Sequence, residues 1–365
     1  PASAQAGRGL LRAASLQLYG GDAASARETW RRLATQHPDP QARAQGLFWL
    51  GRGALGRGDA EAASEVLAEA AALDPVGYEG LRARDLSAFG LGAEPYANRS
   101  GSGLGAGGAD DVAACTSWID SWAGAEQAGL AEQRLARVSL LLSASLRDEG
   151  LSEALEGATV FASRPRALYS LSRGSRSLGL YPASIHLANR VGAASPARSA
   201  DRGPQCLQRL VYPDAFSILV QASAQQYGID PHLLLALLRQ ESWFSDHAKS
   251  SADARGLSQV IPSTAREVAR AQGRADFDVD DLFRPREAIA MGAWYLANQI
   301  ADMGQRPLLA LAAYNGGPGN ARRWAGGNLS VDPDDFVEAI DFAETRTYVR
   351  SIYEQYARYR ALYPG

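Results

Sequence analysis

Residues 229–241 of this chain read Ile-Asp-Pro-His-Leu-Leu-Leu-Ala-Leu-Leu-Arg-Gln-Glu. The stretch predicts a helix that begins at Asp230, whose side chain can cap free amide groups, and Pro231, whose missing N–H costs nothing in a first turn. Leucines lie seven, four and three residues before Glu241, which places its carboxylate on the apolar face near the C-terminal end of the helix. Loss of water and the negative end of the helix dipole both raise the pKa of a carboxyl group there. We therefore expect Glu241 to be able to act as a general acid near neutral pH.

Composition points to an all-helical protein of two or three domains. The 365 residues are 46% hydrophobic, and alternating Val, Ile and Thr of the kind that forms strands is scarce. The net charge is −3 and no basic stripe is interleaved with aromatics, so we expect no nucleic-acid partner. Four scattered histidines have no metal-ligand spacing, and we expect neither metal nor cofactor. Cys115 and Cys206 are the two cysteines, and the sequence leaves open whether they pair or stay free.

The sequence also bears on the cellular compartment. No apolar run approaches the ~20 residues that a membrane span needs. No charged start followed by an apolar core is visible in the first residues, so a signal peptide is not seen in this sequence.

The N-terminal part contains a repeat. Residues 21–30, which begin Gly-Asp-Ala, recur as residues 58–67 at an offset of 37 residues, close to the period of tetratricopeptide-type helix pairs. The segments His37–Pro40 and Asp74–Pro75 are predicted to end the second helix of each pair. These features predict an array of helical hairpins that gain stability by stacking.

Composition changes along the chain predict four regions. We expect helical-hairpin repeats over 1–91 and a glycine-rich linker or surface loop over 92–111. Further helical scaffold follows over 112–207, and an all-α domain that contains Glu241 over 208–365. Because this last region contains a complete set of apolar helices, we expect it to fold and retain some activity without the preceding helices.

Several short motifs follow Glu241 in a fixed order. In sequence order they are Glu241-Ser242-Trp243-Phe244-Ser245, Ala254-Arg255-Gly256-Leu257-Ser258-Gln259, Pro262-Ser263-Thr264-Ala265, Gly292-Ala293-Trp294-Tyr295-Leu296, Ala312-Ala313-Tyr314-Asn315-Gly316-Gly317-Pro318-Gly319 and Phe342-Ala343-Glu344-Thr345-Arg346. Together they resemble the catalytic domain of the soluble lytic transglycosylases, a lysozyme-like family that cuts bacterial peptidoglycan. The resemblance covers about residues 210–365 and implies a superhelical N-terminal region followed by a lysozyme-like helical domain.

The resemblance implies a mechanism with one carboxyl group. Glycosidases usually use two, whereas in this family one Glu, here Glu241, acts first as acid and then as base. The N-acetyl group of the substrate assists departure of the leaving sugar, and the 6-hydroxyl then attacks to give a 1,6-anhydromuramoyl end. The bond cut is the β-1,4 linkage between N-acetylmuramic acid and N-acetylglucosamine.

Six further residues are candidates for binding the glycan. Ser250 and Gln259 match cleft positions of the family, with a turn residue and a surface amide as the competing interpretations. Tyr314 and Asn315 follow the apolar stretch Leu308–Ala313 and are predicted on a loop rim, with core packing as the alternative for Tyr314. The remaining two candidates are Glu344, which otherwise would be a helix-start carboxylate, and Tyr348, one turn later. Gly256 is predicted to be structural because the family has a tight turn there.

The chain departs from the usual family text at five positions: Asp246 and Asp341 replace proline, Asp253 replaces glycine, Ser258 replaces methionine and Ala288 replaces asparagine. Asp253 matters most, because an added carboxylate could favour water as the acceptor and give a hydrolysing muramidase instead. A non-catalytic peptidoglycan-binding scaffold is the alternative from another class. We expect glycan strands as the binding partner, cell-wall proteins as candidates for contact with the N-terminal helices, and a location in the periplasm or cell envelope.

Overall fold

The computed structural model of this chain describes residues 4–96, 103–105, 111–124 and 129–365. Within them lie nineteen α-helices and two short 3₁₀ helices, and the only β pairing consists of isolated bridges at Arg255. The predicted all-α class is thus confirmed. No described helix is both long and apolar enough to cross a membrane.

The chain divides into two compact units that do not follow the four predicted regions. Unit 1 comprises Pro1–Ser100 and Asn298–Ala357, and unit 2 comprises Gly101–Ala297 and Arg358–Gly365. Most of the predicted 92–111 linker lies outside the described residues. Whether residues 208–365 fold alone stays a prediction.

The helices of unit 1 come from both ends of the chain. They are α1 (Ala4–Tyr19), α2 (Ala23–Gln36), α3 (Pro40–Gly56), α4 (Ala60–Leu73), α5 (Tyr78–Phe89), α16 (Pro307–Gly316), α17 (Pro318–Trp324) and α18 (Pro333–Ala339), with most of α19 (Ala343–Leu362).

The predicted repeat appears as helical hairpins in α1–α5, where each helix packs on the next. Asp22 and Asp59, equivalent residues of the repeat, cap α2 and α4 by accepting from amides three residues later. The helices end at Gln36 and Leu73, just before the predicted stops. At Gly46, a Cβ would lie 2.7 Å from the backbone of α2, so glycine permits the close approach of α2 and α3.

The helices of unit 2 are α6 (Val112–Ala123), α7 (Glu132–Ser143), α8 (Arg147–Val160), α9 (Pro165–Ser177), α10 (Tyr181–Ala194), α11 (Gln205–Val211), α12 (Ser217–Tyr227), α13 (Pro231–Ser242), α14 (Pro262–Ala271) and most of α15 (Pro285–Asp302). The 3₁₀ helices Ala200–Arg202 and Val279–Phe283 also belong to it. Cys115 on α6 and Cys206 on α11 form a disulfide, which settles the pairing that the sequence left open.

The end of α19 fixes the start of α13 inside unit 2. The carbonyl oxygen of Tyr363 accepts from Nε2 of the fully buried His232, at 2.8 Å. The hydroxyl of Tyr363 donates to the carbonyl of Tyr212 at 2.8 Å, and that of Tyr359 to Pro213. The tyrosines of the last helix at 353, 356 and 359 are at most 1% exposed and lie in the interior.

A buried ionic cluster joins the two sequence segments of unit 1. Arg82 on α5 is fully buried, and its guanidinium donates to both carboxylate oxygens of Asp334 on α18, at 2.8 and 3.1 Å. It also donates to Asp85 at 3.1 Å, and Asp85 accepts from the hydroxyl of Tyr353 on α19. Such a bidentate pair is geometrically selective, and neither charge tolerates loss of the other once both are buried.

We expect Arg82→Met to lower the free energy of unfolding by about 3–5 kcal/mol, because Asp334 and Asp85 would be left buried without their cation. Arg31→Met is the matched control, since Arg31 pairs with Glu28 on the exposed face of α2 and should contribute almost nothing. Urea titrations followed by circular dichroism compare the two. Equal midpoints for both variants would contradict the importance of the buried cluster.

The same contacts bear on the fragment 208–365. That fragment would contain Asp334 and Tyr353 but neither Arg82 nor Asp85. Any activity that it retains should therefore come with lower stability than that of the full chain.

Candidate functional site

The predicted site residues are divided between the two units. Glu241, Ser250 and Gln259 belong to unit 2, whereas Tyr314, Asn315, Glu344 and Tyr348 belong to unit 1. The two groups are therefore described in turn.

Glu241 is the penultimate residue of α13. The helix starts as predicted, because Asp230 accepts from the amide of His232 at 2.8 Å and Pro231 occupies the first turn. Residues 233–238 are at most 2% exposed, so the helix is held on every side through its middle. Glu241 itself is half-buried. Its carboxylate thus stands where a fixed helix ends, and the raised pKa expected from the sequence stays a prediction.

A strained turn follows Glu241 directly. Trp243 and Phe244 both adopt the left-handed conformation, with φ of 51° and 61°. That conformation costs a residue with a Cβ roughly 1–2 kcal/mol, and it persists only where the surroundings fix it. Phe244 is 1% exposed and packs edge-on against Tyr181 at 5.9 Å between ring centroids, whereas Trp243 is 41% exposed. The chain therefore leaves α13 by an abrupt and anchored bend.

Ser242 ties the end of α13 to the loop that contains Gln259. Its hydroxyl lies 2.8 Å from the carbonyl oxygen of Leu257 and 3.1 Å from that of Leu238, and donates to them. Ser242 was not among the candidate residues, because only the folded loop brings Leu257 to it.

The loop at 249–260 holds the other candidates of unit 2. The hydroxyl oxygen of the exposed Ser250 accepts from the amides of Ala252 and Ala254, at 3.2 and 3.1 Å, which is the behaviour of a turn residue. The amide nitrogen of Gln259 donates to the carbonyls of Ala248 and Gly256, at 3.1 and 2.9 Å. Both side chains shape the loop, whatever they contribute to binding.

Gly256 is structural, as predicted. Its φ is +67°, and a Cβ there would lie 1.8 Å from the carbonyl oxygen of Leu282. The neighbouring Ser258 is fully buried and donates to the carbonyl of Ala288 at 2.7 Å. Two of the five departures from the family text therefore contact each other, and Ser258 ties the loop to α15.

Asp253 is held by two cations. Its oxygens accept from Nε and Nη2 of Arg255, at 3.2 and 3.0 Å, and one lies 3.0 Å from Nζ of Lys249. The hydrogen bonds from Arg255 and Lys249 lower the pKa of Asp253. A carboxylate that is ionised and doubly paired is poorly suited to donate a proton.

In unit 1, one hydrogen bond joins α16 to α19. Thr345 is 2% exposed, and its hydroxyl donates to the side-chain oxygen of Asn315 at 2.6 Å. Tyr314 and Asn315 lie in the last turn of α16, which continues through Gly316 and ends because Gly317 has φ +87°. The predicted loop rim is therefore corrected to a helix end. The amide oxygen of Asn315 is used within the protein, and Thr345 was missed because a residue thirty positions away reveals its role.

Glu344 and Tyr348 differ in exposure. Glu344 is exposed in the first turn of α19, beside Thr345, so its carboxylate is open to solvent next to the end of α16. Tyr348 is only 5% exposed, and its burial favours a packing role over direct contact with a ligand. Asp341, which precedes α19, accepts from Arg323 and from the indole of Trp324, and these two hydrogen bonds lower its pKa to about 2.

A metal-dependent site would need clustered ligands. Among the residues that the structure describes, no group of three or more His, Cys, Asp or Glu side chains lies close enough to hold an ion.

Comparison with known proteins gives one consistent family. Residues 218–336 match the model of the transglycosylase SLT domain. The putative soluble lytic murein transglycosylase of Haemophilus influenzae is 36% identical over 143 residues, 38% of this chain and 24% of that protein. The soluble lytic murein transglycosylase of Salmonella typhimurium is 34% identical over 151 residues, 41% of this chain and 23% of that protein. The matched part is thus about a quarter of these relatives.

A solved structure shares the fold over nearly the whole of this chain. The crystal structure of an inactive mutant of the lytic transglycosylase Slt from Pseudomonas aeruginosa superimposes with a TM-score of 0.69 at 21% identity, covering 95% of this chain and 50% of that one. Glu241 and the loop of Gln259 lie inside the matched span, as do Tyr314 and Asn315, whereas Glu344 lies beyond it. The resemblance seen in the sequence is confirmed: residues 218–336 of this chain form a transglycosylase SLT domain.

Proposed function

We propose that this chain is a peptidoglycan lytic transglycosylase that cuts the β-1,4 bond between N-acetylmuramic acid and N-acetylglucosamine. The observation that carries the proposal is Glu241, a half-buried carboxyl group at the fixed end of α13 inside the span that matches the SLT domain. General acid–base catalysis needs a carboxyl group that is held in place yet reachable by substrate.

In the proposed mechanism, Glu241 performs both proton transfers. It first gives its proton to the glycosidic oxygen, and the bond from C1 to that oxygen breaks. The carbonyl oxygen of the substrate's own N-acetyl group bonds to C1 as the leaving sugar departs. The Glu241 carboxylate then takes the proton of the 6-hydroxyl, whose oxygen displaces the N-acetyl oxygen at C1. The product is a 1,6-anhydromuramoyl end, and no water is consumed.

The other candidate residues are assigned binding and orientation. Gln259 keeps its side-chain oxygen for a ligand, because that oxygen accepts no hydrogen bond from the described residues. Glu344 offers an exposed carboxylate and Tyr314 a ring with a hydroxyl. Ser250, Asn315 and Tyr348 support these groups more through loop and helix packing than through direct contact.

Two alternatives make different demands on the molecule. A hydrolysing muramidase would need a second carboxylate to hold water, and Asp253 is the candidate, yet its two cations already occupy it. A non-catalytic scaffold would not need Glu241 at all. We favour the transglycosylase for two reasons. The hydrolase would need the carboxylate of Asp253, which two cations already pair, and the scaffold would give no role to the carboxyl group of Glu241.

We place the enzyme outside the cytoplasm, in the periplasm or cell envelope. The Cys115–Cys206 disulfide supports this location, because disulfides persist in oxidising compartments. Glycan strands are the proposed partner, and cell-wall proteins are proposed to contact the N-terminal hairpins.

We expect Glu241→Gln to lower the rate of sacculus digestion by roughly 10²–10⁴, because glutamine keeps the shape and cannot exchange a proton. Glu65→Gln, an isosteric change on the exposed face of α4, is the control. Release of soluble muropeptides measures the rate, and circular dichroism checks that both variants fold. A Glu241→Gln enzyme that keeps more than about a tenth of the activity would assign the acid to another residue.

Glu344→Ala and Tyr314→Phe should each slow turnover by less than Glu241→Gln, since neither residue is assigned a proton transfer. Thr347→Ala provides a control on α19, because its exposed hydroxyl only donates to the carbonyl of Ala343. Steady-state assays on a soluble glycan oligomer give kcat and KM for each variant. If Glu344→Ala proved as inactive as Glu241→Gln, the single-carboxylate mechanism would fail.

The products should carry 1,6-anhydro ends in both the wild type and Asp253→Gly. Glycine suits this position, where φ is +63°, so the substitution removes the carboxylate without straining the loop. Mass spectrometry distinguishes the products, because anhydro fragments lack one water relative to lysozyme fragments. Mainly reducing ends from the wild type, switching to anhydro ends in Asp253→Gly, would instead identify a hydrolase.

A further inference from the structure

We propose that Arg147 and Asp246 are positioning residues for Glu241, acting through the turn that follows α13. The proposal rests on the proposed function, and it assigns part of the catalytic geometry to helices that lie outside the span matching the SLT domain.

The turn needs support from elsewhere. Trp243 and Phe244 occupy a conformation that residues with a Cβ adopt only when their surroundings hold them there. Glu241 precedes this pair by two residues, so a shift of the turn would unwind or rotate the end of α13 and move its carboxylate.

Two contacts from the helical scaffold reach the turn. Nη2 of Arg147, the first residue of α8, lies 2.9 Å from Oδ1 of Asp246 and forms an ion pair across 99 residues of sequence. From α10, Tyr181 packs edge-on against Phe244 and also contacts Phe216. One contact is polar and holds Asp246, and the other is apolar and holds Phe244. Together they restrain the direction in which the chain leaves α13.

Asp246 is more constrained than a surface carboxylate. Its side chain is 16% exposed, and the same Oδ1 lies 3.0 Å from Nδ1 of His247. Arg147 is also 3.5 Å from the carbonyl of Gly179, which limits where its guanidinium can go. A charge-assisted hydrogen bond between partly buried groups of this kind holds its geometry better than an exposed pair does.

The ion pair supplies a restraint that the backbone at Asp246 lacks. An aspartate does not fix its own φ as a proline would, so the ion pair to α8 limits the movement of this position. The scaffold helices thus position the turn, although they contribute no group that touches the glycan.

The test compares two ion pairs of the full chain. Arg166 on α9 pairs with Asp120 on α6 at 3.0 Å, and both side chains are partly exposed. Like Arg147–Asp246, this ion pair joins two separate sequence segments of unit 2. Arg166→Ala is therefore a matched control for the loss of one such ion pair.

We expect Arg147→Ala and Asp246→Asn each to lower kcat on a soluble glycan oligomer roughly tenfold while KM changes less than twofold, since small misplacements of a reacting group are costly. The double variant should be no slower than either single variant, because both remove the same contact. Arg147→Lys, which keeps the charge, should recover at least half of the lost rate. Arg166→Ala should shift Tm by a similar amount yet leave kcat within twofold of the wild type.

Several outcomes would overturn the inference. A kcat unchanged in Arg147→Ala, or lowered equally in Arg166→Ala, would show that the pair only stabilises the fold. Those results, obtained with an active wild type, leave the proposed function intact. A wild type that cleaves no glycan overturns the proposed function, and this inference with it.

Discussion

A carboxyl group that gives and then takes back one proton, as we propose for Glu241, has to be immobile and still within reach of its substrate. The structure places Glu241 in the last turn of a buried helix. Residues 233–238 are packed on all sides, and the left-handed pair Trp243–Phe244 ends the helix at Ser242. Ser242 then fastens the helix end to the loop of Gln259 through Leu257. The proposed function depends on these contacts, because together they hold the position of Glu241.

The start of α13, the hairpin repeat and the role of Gly256 could be predicted from sequence, because each depends on local chemistry. An aspartate before a helix caps it wherever the helix lies, which is why Asp230 was identified correctly as the cap of α13. A glycine with positive φ is likewise a property of its own backbone.

What sequence could not give depends on contacts between distant residues. Ser242 acquires its role from Leu257, Thr345 from Asn315 and Arg147 from Asp246, and none of these partners is marked by spacing. The end of α16 was misplaced by a few residues because Gly316 can stay helical when Gly317 makes the break. The exposure of each side chain also had to come from the structure. Glu344 and Tyr348 were both candidates for binding the glycan, but Glu344 is exposed and Tyr348 is buried.

The division of the chain into two units also depends on contacts between residues that are distant in sequence. Composition suggested that the hairpin repeats over 1–91 and the last region over 208–365 are separate, but Arg82 and Asp85 on α5 hold α18 and α19 through buried hydrogen bonds. The helices that carry Tyr314 and Glu344 thus share a compact unit with the repeats. In unit 2 the scaffold helices hold the turn after Glu241 in a comparable way. The parts of the chain outside the SLT domain therefore belong to the structural support of the proposed site.

The most direct test of the central claim is a crystal structure of the Glu241→Gln variant with a bound glycan oligomer that spans the scissile bond. The account predicts that the side chain of residue 241 lies within hydrogen-bond distance of the glycosidic oxygen, with no other carboxylate as near and the N-acetyl carbonyl directed at C1. A glycan bound away from residue 241, or a glycosidic oxygen closer to Asp253 or Glu344, would contradict the assignment of Glu241 as the acid and base.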